Sequence, residues 1–140
     1  MEIENSVTFD ISSTALWPLL ANFGAIQAWR PQEGRLTIDR VECSGEGIGM
    51  IRHIYNTGMD KAVSERLDYL DPDGKTLILS IVGDPPGGIT NYVAIAQLTD
   101  LDEGHCQLHY TAYFTTVVGR EEKVEKNIRL NWDGMTAGLR

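Results

Sequence analysis

A series of short breakers constrains this chain more than any other feature. Gly45–Gly49, Gly58, Asp71-Pro72-Asp73-Gly74, Asp84-Pro85-Pro86-Gly87-Gly88 and Gly104 punctuate its middle. Between them lie segments of strand length: Arg35–Cys43, Gly49–Asn56, Ala62–Leu70, Thr76–Val82, Ile89–Leu101 and His105–Val117. Connections this short imply antiparallel hairpins. The pattern shows no internal repeat, linker or low-complexity tract.

The flanks read differently. Ile3, Val7, Phe9 and Ile11 alternate with Glu2, Glu4, Ser6, Thr8 and Asp10, the period of a half-buried strand. Ser12 and Ser13 then offer N-cap oxygens to a short helix carrying Ala15, Leu16, Trp17, Leu19 and Leu20. Pro18 falls in its early turns and Gly24 ends it. A second short helix is expected from Ala25 to Trp29, stopping before Pro31. The last segment, Arg120–Leu139, reads as helix. Glu121 and Glu122 suit the positive end of its dipole. Val124, Ile128, Met135 and Leu139 form its apolar stripe, interrupted by Asn131, and Trp132 is expected on the rim.

Hairpin arithmetic shows which side chains share a face. A loop of Thr57–Asp60 sets Asn56 against Lys61, Ile54 against Val63, Arg52 against Glu65 and Met50 against Leu67. That face is the better interior candidate, and it holds an Arg52–Glu65 pair. A desolvated ion pair persists only when well hydrogen-bonded. In the last hairpin, a loop of Asp102-Glu103-Gly104 sets Leu98 against Leu108, Ala96 against Tyr110, Ala94 against Ala112 and Tyr92 against Phe114. The opposite face, with Asn91, Gln97, Thr99, Gln107, His109, Thr111 and Thr115, reads as solvated. Alanines, tyrosines and an ion pair make an inefficient solid core. They are compatible with a cavity that has a few polar groups.

Charge narrows the partners. Twelve Lys and Arg against 20 Asp and Glu leave a net charge of −8. Such a chain repels phosphate backbones, so nucleic acid and anionic membrane are poor partners. No apolar run approaches the ~20 residues of a membrane helix. The N-terminal residues lack a signal-peptide pattern, and the expected compartment is the cytoplasm. Cys43 and Cys106 form no CxxC motif, and His53, His105 and His109 fall in no ligand spacing, so no metal site is expected. The glycines at 45–49 join strand to strand, which argues against a phosphate loop. Nor does any Ser/His/Asp or Cys/His constellation emerge.

Particular residues add to this order of elements. Val7, Phe9, Ile11 and Trp17 lead to Trp29-Arg30-Pro31, and Gly45–Arg52 leads to Glu65-Arg66-Leu67. Tyr92 then precedes Tyr110-Thr111-Ala112-Tyr113-Phe114. Together these resemble the SRPBCC superfamily, in its polyketide cyclase/dehydrase-like branch, over essentially the whole chain. Tyr110 stands where that family often has Trp. The resemblance implies one α+β domain of the helix-grip type (the START and birch-pollen-allergen fold). A seven-stranded antiparallel sheet would wrap around the long C-terminal helix, with two short helices after the first strand and a ligand cavity between sheet and helix. It implies no cofactor, places Cys43 and Cys106 several strands apart and beyond disulfide reach, and puts the loops at 56–61, 83–90 and 117–120 at the cavity mouth.

The expected function is binding of a small hydrophobic or aromatic molecule. Trp29, Arg52, Glu65, Tyr92, Tyr110, Phe114 and Asn131 are the candidate ligand-binding residues. Arg52–Glu65 reads either as an anchor for a ligand carboxylate, carbonyl or phenol, or as an ion pair that pins strand register. The aromatics read either as a stacking surface or as plain packing. Two alternatives stay open: a polyketide cyclase-like enzyme in which Arg52, Glu65, Tyr92 or Tyr110 polarise a carbonyl and move protons, and an interaction module with a filled interior. A cavity below ~300 Å³ would count against a ligand-binding interior.

Overall fold

The longest hairpin organises the structure. In the computed structural model, which describes residues 1–28, 38–58, 61–102 and 104–139, strands β6 (Ile89–Asp102) and β7 (His105–Thr116) pair antiparallel. Their register sets Tyr92 against Phe114, Ala94 against Ala112, Ala96 against Tyr110 and Leu98 against Leu108, as period-two counting requires. Gly104 has a φ of +91°, the conformation its tight turn needs. The other strands are β1 (Glu2–Phe9), β2 (Ile38–Ser44), β3 (Ile51–Asn56), β4 (Val63–Asp71) and β5 (Thr76–Val82). Together the strands form one antiparallel sheet in the order β1-β7-β6-β5-β4-β3-β2. The expected α+β helix-grip architecture is therefore present.

Between β1 and β2 come helix α1 (Ser13–Ala21) and a 3₁₀ helix (Phe23–Ala28). Ser12 caps α1: its hydroxyl accepts the Ala15 N–H at 3.2 Å. Asp100 of β6 accepts the Ser13 N–H at 3.2 Å, which fixes the helix start to the sheet. Leu16, Trp17 and Leu20 bury one side of α1. The 3₁₀ helix begins two residues earlier than the helix expected from Ala25, and its expected end at Trp29 lies outside the described residues.

The long helix α2 (Glu121–Leu139) holds the largest correction. Among its described side chains the buried stripe is Val124, Ile128, Trp132 and Thr136, one residue per turn. Trp132 is 2% exposed, not on the rim. Each step of four drifts ~40° round the helix, so this stripe slants across ~120° from 124 to 136. The expected path through Met135 and Leu139 involves side chains outside those described.

The outer face of the sheet carries the polar residues expected there, with one exception. Thr111 is 9% exposed, because it sits between Glu4 on β1 and Ile95 on β6 at the middle of three paired strands. His53 and His109 lie on this face and contact Ser64 and Ser6, each at 2.7 Å. Cys43 is exposed and Cys106 buried, both as free thiols. They lie five strand steps apart, ~24 Å along the sheet.

Candidate functional site

The inner face gathers most of the residues singled out from the sequence. Arg52 of β3 faces Glu65 of β4, and neither reaches water freely: their side chains are 7% and 15% exposed. Arg52 Nε donates to Glu65 Oε1 at 2.9 Å, and Nη2 lies 2.8 Å from the same oxygen. Nη1 donates to the Phe23 carbonyl oxygen at 2.9 Å. The guanidinium lies over the Phe23 ring, 3.8 Å from its centroid. Arg52 is thus saturated by the protein along one edge and one face. Sequence counting finds the Glu65 partner, because the two strands are adjacent in the chain. It misses Phe23, which arrives from the 3₁₀ helix through tertiary packing.

An interior cavity of about 60 Å³ opens beside this pair. Its floor is Leu77 and Leu79 of β5, Tyr92, Ala94 and Ala96 of β6, and Tyr110 of β7. Leu20 and Phe23 close one side, and Asn131 and Trp132 of α2 close the other. The two alanines matter because their short side chains leave the space that larger apolar residues would fill. Trp132 stacks on Tyr110 with ring centroids 5.2 Å apart and planes at 22°.

Tyr92 has an environment of its own. Burial pushes its phenol well above the ordinary tyrosine value, and the negative charge of Glu65 pushes the same way. A hydrogen bond with Trp132 opposes both, more weakly. The phenol is consequently neutral across the physiological range and available as a donor.

Five of the candidate residues, Arg52, Glu65, Tyr92, Tyr110 and Asn131, line this one cavity. Phe114 does not. It is 2% exposed and packs in the apolar core on the strand next to Tyr92. Trp29 lies outside the described residues. Trp132 is the residue that sequence reasoning missed, although its four-residue spacing from Ile128 carried the signal. The cavity volume is below the ~300 Å³ of ordinary ligand pockets, which counts against a ligand-binding interior in this conformation.

The loops expected at one end do meet there. Lys61 lies 3.5 Å from Asp84, and the Val117 N–H donates to the Gly88 oxygen at 2.8 Å. Among the described residues no group of three or more His, Cys, Asp and Glu could hold a metal ion. No helix among them is long and apolar enough to cross a membrane.

Residues 1–140 match the family described as polyketide cyclase / dehydrase and lipid transport. The chain belongs to that family. Solved structures agree with the family's helix-grip fold. An uncharacterised protein from Bacillus thuringiensis superposes with a TM-score of 0.80 at 22% identity, covering 99% of this chain and 96% of that one. A protein from Thermobifida fusca gives 0.76 at 26% identity, covering 91% and 82%. Norcoclaurine synthase from Thalictrum flavum, solved with dopamine and hydroxybenzaldehyde, gives 0.80 at 14% identity, covering 99% and 83%. At these identities the first and third likenesses concern the fold alone. Among curated proteins none matches this chain.

Proposed function

We propose that this chain binds a small apolar or aromatic molecule between its sheet and α2, oriented by the polar groups at one end of the cavity. The supporting observation is the convergence of a buried ion pair and a neutral, shielded phenol on one interior space beside Ala94 and Ala96. A core built only for stability gains by filling that space and by replacing the pair with apolar residues. Membership of a family whose description includes lipid transport supports the same reading.

The closed cavity sets the mode of binding. About 60 Å³ is too little for an aromatic ring, so the roof must move. Helix α2 is the mobile candidate, because among its described side chains one per turn is buried. Binding then selects an open minor state, and apparent affinity falls by the fraction that is open. The volume favours a competing reading, an interaction module whose interior is simply filled. Catalysis has weaker support: the carboxylate beside the cavity is already engaged by two Arg52 nitrogens, and no second carboxylate lines the cavity among the described residues.

A thermal-shift screen with aromatic and lipid-like molecules tests the proposal. Saturable stabilisation is expected, and Ala96→Leu should abolish it while the protein still melts cooperatively. If no such molecule stabilises the protein, ligand binding falls and the filled module stands.

A further inference from the structure

The polar end of the cavity also has a sign, and this sharpens the reading just given, on which it rests. Arg52 is the cation among the cavity's described lining residues, and its donors already point at Glu65 and at the Phe23 carbonyl. Phe23 covers its face. Each forked edge of Arg52 therefore already has a nitrogen engaged by the protein, which leaves it less to offer an incoming carboxylate. Glu65 is the opposite case. Both Arg52 nitrogens that reach it converge on Oε1, and Oε2 takes no partner among the described residues. Its side chain lines the cavity, and its charge is felt at the Tyr92 phenol.

We infer that the site takes an uncharged, single-ring molecule carrying one hydrogen-bond donor, which it gives to Glu65 Oε2, and that the site rejects carboxylates. A ligand anion entering here meets a like charge and no unpaired cation, and loses its water as it does so. A neutral hydroxyl or amide N–H meets an open acceptor oxygen. The ion pair thus works as a filter for ligand charge and also fixes the pairing of β3 with β4.

Four probes separate this filter from binding itself: toluene, p-cresol, p-toluamide and p-toluate, titrated by thermal shift and by Trp fluorescence at neutral pH. The last two have nearly the same shape and differ in charge. We expect p-cresol and p-toluamide to bind, and p-toluate to bind at least about tenfold more weakly than p-toluamide. Glu65→Gln should admit p-toluate and bring the two within about threefold, because the Arg52 charge is then uncompensated. Equal binding of p-toluate and p-toluamide by the unmodified protein overturns the filter and leaves ligand binding intact. If Glu65→Gln fails to fold, the comparison in the unmodified protein decides alone. If none of the four binds, toluene included, the ligand-binding reading falls and the filter falls with it.

Discussion

Arg52 shows how one residue can be readable in part. Its cross-strand partner follows from counting residues around Gly58, and the structure places Glu65 there. Its second partner, the Phe23 carbonyl, lies 29 residues away, and no local pattern marks it. That contact adds a structural tie to Arg52 beside the ion pair. Removing Glu65 strands a buried guanidinium, so Glu65→Ala should cost about 3–5 kcal/mol in urea unfolding. The double change Arg52→Met with Glu65→Leu should cost much less than the two single changes summed, since it removes both buried charges. Trp132 teaches the complementary lesson. Spacings of three and of four both keep a residue on a helix stripe, so Asn131 and Trp132 compete for the inward position. The structure half-buries Asn131 and fully buries Trp132. Sequence alone could not rank them, because the ranking depends on the Tyr110 ring that Trp132 stacks upon.

At the scale of elements, the strands were readable to within a few residues, because each alternates and each ends on a breaker with a physical reason to turn. The helices were less so. The start of α1 depends on a residue from another element: Asp100, at the far end of β6, accepts the Ser13 N–H. The Ser13 hydroxyl and then that N–H hold the Asp100 carboxyl below its ordinary value. A depressed carboxyl contributes stability at pH values above its unfolded pKa and loses it as pH falls through the folded one. Asp100→Asn should therefore destabilise the protein at neutral pH, and its melting temperature should converge with that of the unmodified protein in acid below the ordinary carboxylate range. A difference that persists undiminished in acid would assign the effect to shape. Helix α2 makes a separate prediction. One side chain per turn is buried among those described, so its amides should exchange with deuterium faster than those of β6 and β7, and a bound aromatic ligand should slow them selectively. Uniform protection of α2 and the sheet would remove the moving roof.

For the whole molecule, short connections and the apolar stripe of the last segment made antiparallel hairpins and a helix docked on a sheet legible, while the arrangement of seven strands around that helix came from the family resemblance. Whether that face encloses open volume was not legible. Cavity volume is a small difference between large packed volumes, and the orientation of Trp132 alone decides much of it. The closed state has a kinetic signature. If α2 must open first, the observed association rate of an aromatic ligand should level off as its concentration rises, measured by stopped-flow fluorescence. A rate that climbs linearly throughout would mean entry without opening.

The pairing of β1 with β7 carries a consequence in time. Ile3 lies opposite Ala112, and the two segments are neighbours in space although almost the whole chain separates them in sequence. During synthesis β1 emerges first and must wait, its apolar side uncovered, until β7 has left the ribosome. The hairpins from β2 to β6 can form meanwhile from local contacts. Closure of β1 onto β7 spans the longest loop in the fold and belongs late in folding. Until that step, the β7 edge of the growing sheet and the free first strand are the surfaces most exposed to mispairing with other chains.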